Sequence, residues 1–195
     1  MADTDASNFK IKDSGSKKRV IKVVPGQIIT EEVIVDSSSA EAEPEKDISK
    51  IAVIERHNNT GHIGVGFVTG YGLKKGAIAS SVAHDSHNLI VAGTNDEDMA
   101  LAANTVASNE GGLAVVCDGV VTGQLKLPLA GLMCGRDASE VDEELEMLKE
   151  QCRSLGVPEG IDPFMTLAFT ALPVIPELRI ITKGVVDVNT QSYAP

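Results

Sequence analysis

The segment "SSVAHDSHNLIV" puts His84 and His87 three residues apart, with Asp85 between them and Asn88 directly after. Imidazole and carboxylate are side chains that bind divalent transition metals and move protons near neutral pH. His84, Asp85 and His87 are therefore candidates for metal ligation or proton transfer. A helical turn would set both rings on one face, and an extended chain would point them to opposite sides. The pair lacks the glutamate of HExxH, and a catalytic zinc normally takes three protein ligands. The competing reading is two turn histidines bonded to nearby backbone.

A second group is "ERHNNTGH", in which Glu55, Arg56 and His57 end one apolar run and His62 opens the next. A Glu and a His at a strand end can serve as acid and base. A hairpin loop explains Asn58, Asn59 and Gly61, residues that tolerate positive φ, but not Glu55, Arg56 and His57 together. The third group, Asp96, Glu97 and Asp98 in "TNDEDM", either holds a cation or complements a helix N-terminus. Several chemistries lack their motifs. The glycines of "GVGFVTGYG" give neither GxGxxG nor GK[ST]. There is no GxSxG elbow and no HxE…PCxxC deaminase signature.

The elements that must position these groups are legible from composition. The chain of 195 residues is 43% hydrophobic but only 3% aromatic, which calls for an aliphatic core. A net charge of −11 argues against a nucleic-acid surface, which needs a basic stripe. Lys17, Lys18 and Arg19 are expected in an exposed, solvated turn. Cys117, Cys134 and Cys152 form no CxxC pair, so a reduced, cytoplasmic protein is expected. The opening "MADTDASNFK" has no apolar signal-peptide core, and no run approaches a membrane helix of roughly 18 apolar residues.

Residues 1–8 read as a disordered lead. Residues 9–35 read as a small β-meander, "FKIK", "RVIKVV" and "QIITEEVIV", with turns at "DSGSK" and Pro25-Gly26. Residues 36–47, "DSSSAEAEPEKD", read as a linker. From residue 48 the runs "KIAVIER", "HIGVGFVTG", "GAIASSVA", "NLIVAGT" and "GLAVVCDG" read as buried strands. "AHDSHN" falls in the connection between two of them, where functional groups are commonly presented. One helix is expected after a cap at Thr94 or Asn95. A second spans 139–156, capped by Ser139 and carrying the stripe Val141, Leu145, Leu148 and Cys152. A third begins at Asp162-Pro163, and a strand turns at Lys183-Gly184. The fold class is α/β or α+β: a mixed β-sheet domain with a few helices, preceded by a small β-meander.

The stretches "PGQIITEE", "KIAVIERHNNTGHIGVGFVTGYGLKKGAIASSVAHDSHNLIVAGTNDEDMALAANTV", "GGLAVVCDG", "LPLAGLM" and "KGVVDV" closely resemble the C-terminal part of bacterial-type adenine deaminases, of the amidohydrolase superfamily. The resemblance runs from Phe9 to the end. It implies conversion of adenine and water to hypoxanthine and ammonia, by a divalent metal (Mn or Fe) held mainly in a barrel. That barrel needs roughly 250 residues and an HxH that is missing here, since the histidines stand at 57, 62, 84 and 87. By resemblance, residues 9–35 flank the barrel and residues 48–195 form the C-terminal domain. The resemblance makes His84, Asp85 and His87 candidate catalytic residues and Glu55, His57 and Asn88 candidates for adenine binding. It makes His84 and His87 ligands of an auxiliary metal. The expected partners are adenine, a barrel domain or subunit and further copies in a homo-oligomer, with no nucleic acid and no membrane. The alternatives are a non-catalytic module that binds a purine or a partner, and an inactive remnant of the enzyme.

Overall fold

The computed structural model describes residues 3–11 and 16–194. Eight strands make the central sheet: β1 (Lys17–Val23), β2 (Thr30–Asp36), β3 (Ile48–Ile54), β4 (Ile63–Thr69), β5 (Ala77–Ser80), β6 (Leu89–Gly93), β7 (Gly112–Cys117) and β8 (Val120–Lys126). Their order is β2-β1-β4-β3-β6-β5-β7-β8, and only the β1–β4 pair runs parallel. One face is covered by α1 (Asp96–Ser108). The other is covered by α2 (Ala138–Ser154), α3 (Pro163–Thr170) and a smaller sheet of β9 (Leu178–Ile181), β10 (Gly184–Asp187) and β11 (Ser192–Tyr193). The fold is the mixed-sheet α+β arrangement expected from the sequence.

Cover on both sides explains why the central strands are buried at nearly every position and carry near-continuous apolar runs rather than alternating ones. In β3, Ile51 and Val53 face α2, α3 and the small sheet, while Ala52 and Ile54 face α1. The α1 face is lined with small residues, Ala77, Ala79 and Ala114, which meet Ala102 and Ala103 of the helix. The helix can therefore sit close to the sheet. Its N-cap is Asn95, whose Oδ1 accepts from the Asp98 N–H at 2.7 Å. On the opposite face the small sheet approaches β4 at Gly64, where any side chain would overlap the Ile181 carbonyl and the Gly184 backbone. That contact brings the β9–β10 turn to the beginning of β4.

Several expectations change. Phe9 does not enter a strand: Asp5 caps a 3-10 turn at Ala6–Phe9, and Phe9 is buried among the residues beneath α1. The disordered reading therefore fails for residues 3–8, whereas residues 1 and 2, Lys12 and most of the "DSGSK" turn lie outside the described residues. Lys17, Lys18 and Arg19 begin β1 instead of forming an exposed turn. Lys18 is buried with its ammonium 4.1 Å from the Phe67 ring centre, and Arg19 pairs with Glu32 and Asp187. Residues 36–47 are a strap rather than a free loop, since Glu41 reaches Lys50 and Asp47 accepts from the Gly70 and Gly72 amides. The second helix starts one residue before Ser139 with Asp137 at its N-cap, so the Ser139 capping box does not form. Its stripe is as expected: Leu148 and Cys152 are buried, with Val141 and Leu145 packed against them. β8 was not foreseen. As an edge strand it shows an alternating, mostly exposed pattern with Gly123 at its centre.

The Asp96-Glu97-Asp98 group resolves into structure. Lys50 is 0% exposed, and its ammonium donates to Asp96 at 2.7 Å and to Glu41 at 2.6 Å. Asp98 accepts from the Asp118 and Gly119 amides, tying the β7–β8 turn to the start of α1. Removing one partner of a buried ion pair leaves the other charge uncompensated. Asp96→Ala is therefore expected to lower the unfolding free energy by about 3 kcal/mol, measured by urea denaturation, whereas Glu97→Ala at the exposed neighbour should change it little.

Candidate functional site

One end of the central sheet gathers the residues singled out by their chemistry. Ile54 pairs with both Ile63 and Leu89, and Ser80 with both Ile90 and Leu113. The loops after β3 and β5 and before β4 and β6 thus emerge together. "AHDSHN" is a turn there, closed by the His87 N–H donating to the Ala83 carbonyl at 2.7 Å. His87 itself adopts a left-handed conformation, φ +49°.

The side chains at this end divide by whether their hydrogen-bonding capacity is already used. Glu55 accepts from the amides of His57 (2.6 Å), Asn58 (2.7 Å) and Thr60 (3.0 Å), and from the Thr60 hydroxyl (3.0 Å). These bonds, with that from the Thr60 amide foremost, hold its carboxyl down to about 2. Such a weak base does not abstract protons at neutral pH; Glu55 organises its loop. His57 spends Nε2 on the Ser86 carbonyl at 2.7 Å. Arg56 donates through Nε to the His87 carbonyl, through Nη2 to the Ala130 carbonyl at 2.5 Å, and through its amide to Asn88 Oδ1 at 3.3 Å. Of the trio that a hairpin loop left unexplained, Arg56 and His57 hold the neighbouring turn and Glu55 holds its own loop.

The uncommitted groups lie on the turn itself. His84 packs against Phe169 of α3 with the rings tilted by 44° and their centres 4.9 Å apart, and neither ring nitrogen bonds a protein group among the described residues. The same holds for the Asp85 carboxylate and for Asn88 Nδ2. Asp85, Ser86 and Asn88 line a cleft of about 380 Å³ whose far wall is the end of α3 and the β9–β10 turn, with Thr182 as the further polar group. Val53, Leu172 and Ile181 make its apolar sides. The cleft brings Asp85 and Asn88 together. It does not include His84, which stands beside it on Phe169, nor His87, whose Nδ1 is buried without a hydrogen-bond partner. Thr182 escaped sequence reasoning, for it sits in an ordinary turn far along the chain and becomes relevant only through the packing of β9–β10 on β4.

A family model described as "Adenine deaminase C-terminal domain" matches residues 27–192. The chain belongs to this family. It is 52% identical over 199 residues to "Adenine deaminase 2" of Carboxydothermus hydrogenoformans, covering 100% of this chain and 35% of that protein. "Adenine deaminase" of Desulfatibacillum aliphaticivorans is 49% identical over 195 residues, with 98% and 34% covered. "Adenine deaminase" of Brucella abortus (strain 2308) is 49% identical over 189 residues, with 94% and 32% covered. This adenine deaminase C-terminal domain therefore spans about a third of the length of the curated relatives it matches.

The donors of this domain do not fit a resident metal. Among the described residues no three His, Cys, Asp or Glu side chains are placed to share an ion, so His84 and His87 lack a third ligand. Nor is Cys152 a nucleophile, since burial pushes its thiol up to about 12. Among the described residues no helix is long and apolar enough to cross a membrane.

The Glu55 cap has a definite pH signature. Its folded-state value of about 2 lies below the ordinary glutamate value of 4.5, so the loop's stabilisation is complete above the unfolded value and is lost as pH falls through the folded one. Amide exchange at His57, Asn58 and Thr60, corrected for intrinsic rates, should show protection that declines between pH 4.5 and pH 2. Glu55→Gln should show the reduced protection already at neutral pH.

Proposed function

We propose that this domain contributes the His84–Asn88 turn to an adenine deaminase site whose other groups lie on a barrel segment outside this chain. The reaction is adenine plus water to hypoxanthine plus ammonia. The observation that carries the reading is the cleft in which the Asp85 carboxylate, Asn88 Nδ2 and the Thr182 hydroxyl stand uncommitted between apolar walls. Adenine has two apolar faces and an edge that places an amine beside a ring nitrogen. An ionised carboxylate only accepts and can take the amine's hydrogens, while an amide nitrogen donates to the ring nitrogen. Asp85 and Asn88 match that edge, with Leu172 and Ile181 against the ring faces. His84, fixed by Phe169, is the proton carrier beside the leaving amine. The divalent metal, Mn or Fe, belongs in this reading to the barrel segment, and the residues of this chain act on the purine.

In the relatives, the β1–β2 pair and the strap that follows would adjoin the barrel. A cytoplasmic location agrees with the three free cysteines, and the reading admits association of several copies. A second reading has support from the same cleft: its polar groups all come from this chain, so it could bind a purine without catalysis.

Ammonia release from adenine separates the two. The chain alone, with Mn²⁺ or Fe²⁺, is expected to be silent, and a mixture with the barrel segment of a relative is expected to be active. In that mixture His84→Ala and Asp85→Ala should each reduce kcat/KM about tenfold or more, a loss of roughly 1.4 kcal/mol in transition-state binding. Unchanged turnover in both variants would remove the turn from the site. Metal-independent purine binding by a chain that activates no barrel would favour the second reading.

A further inference from the structure

We propose that Arg56 is a positioning residue that hangs the His84–Asn88 turn from a fixed platform and so sets where Asp85 and Asn88 stand in the cleft. The inference rests on the reading above, that this turn meets the purine.

Three loops meet at Arg56: its own, and the two whose carbonyls its side chain bonds. Arg56 is the second residue after β3, so its backbone lies close to the doubly covered part of the sheet. Its Nε donates to the carbonyl of His87, the residue directly before Asn88, and its own N–H donates to Asn88 Oδ1 at 3.3 Å. That second bond turns the Asn88 amide so that Nδ2 is left for a ligand. The other arm of the guanidinium reaches Ala130, in the loop between β8 and α2, at 2.5 Å. Arg56 has no carboxylate partner among the described residues. Its charge is met by carbonyl dipoles alone, and its half-buried site lowers its pKa through desolvation.

The loop after β8 is shaped to receive the guanidinium. Gly131 has φ +76°, and a Cβ there would lie 2.6 Å from Arg56 Nη2 and 2.7 Å from the guanidinium carbon. The backbone is bare where the planar group lies on it. Gly131 is itself held from the other side: its carbonyl accepts from the Ser81 hydroxyl at 2.6 Å, and that hydroxyl accepts from the Gly112 amide at 2.7 Å. Ser81 and Gly112 are fully buried at the end of β5 and the start of β7. The platform is thus part of the sheet, whereas the His84–Asn88 turn projects from it. An arginine fork can span two carbonyls in fixed directions; a lysine ammonium is a single point on a flexible stem and cannot hold both.

The test has two arms. In the chain alone, Arg56→Ala should speed amide hydrogen exchange across residues 84–88 by about tenfold or more while exchange in β3, β5, β6 and β7 stays as it was. Methylguanidinium should restore part of the protection, and Arg56→Lys should behave like the alanine variant. In the assembly with a relative's barrel segment, the same variants should lose about a hundredfold in kcat/KM, as misplacement of a site by about an ångström does, with partial recovery on adding methylguanidinium. Exchange in 84–88 that is unchanged by Arg56→Ala would overturn the proposal. So would a loss of activity that no guanidinium compound recovers and that follows overall thermal stability across the variants. Should Arg56→Ala fail to fold, Gly131→Ala keeps the arginine and displaces its fork; it should loosen 84–88 in the same direction, and a rigid turn in that variant would also overturn the proposal. A wild-type assembly without activity would defeat the reading of the function, and the exchange arm would still decide what Arg56 holds.

Discussion

The four central strands β3, β6, β5 and β7 have to be covered on both faces, and the rest of the molecule follows from that requirement. Apart from Ser49 and Lys50 in β3 and Ser80 at the end of β5, their side chains are apolar both up and down, so neither face can be left to water. α1 closes one side, and α2, α3 and the small sheet close the other. Apart from the buried Lys50–Asp96 pair near the opposite end of β3, polar chemistry is thereby confined to the loops at the ends of the sheet. Burial also makes the ends stiff: a loop leaving a strand that is packed on both sides starts from backbone that opens only with the whole domain.

At the functional end, the side chains that drew attention in the sequence perform two different tasks. Glu55, Arg56 and His57 are engaged in holding loops through the Glu55 carboxylate, Arg56 Nε and Nη2, and His57 Nε2. Asp85 and His84 keep their side-chain polar atoms free, and Asn88, whose Oδ1 is bonded by the Arg56 amide, keeps Nδ2 free. A chemically rich cluster is thus split into support and site by which of its hydrogen bonds are already made. The same accounting removes Asp96 and Asp98 from consideration as a cation site, because Lys50 and the Asp118–Gly119 amides already use them.

The sequence showed most of the frame and part of the site. Continuous runs of Val, Ile and Ala announce strands buried on both faces, and Asn95 and Asp162 announce two helix starts, because these signals are local. β8 was hidden because an edge strand with Gly123 at its centre and alternate residues in solvent carries little apolar signal. The start of α2 was misplaced because Asp137 makes no side-chain cap bond there. Phe9 looked like strand because its burial depends on α1, far along the chain. In the site, Asp85 and Asn88 were legible from their own neighbours. Thr182 was not, since only the tertiary approach of the β9–β10 turn to Gly64 makes it part of the cleft. The role of Glu55 was misread for the same reason: whether a carboxylate is a base or a loop cap depends on amides whose direction the sequence does not state.

The central claim is that the purine meets this domain at the turn 84–88. Photolabelling an active assembly of this chain and a barrel segment with an azido-adenine, then mapping the modified peptides, tests it most directly. The account predicts label on the peptide carrying Asp85–Asn88 or on that carrying Ile181 and Thr182, suppressed by excess adenine. Adenine-protected label confined to the barrel segment, or placed at the opposite end of the sheet, would contradict it.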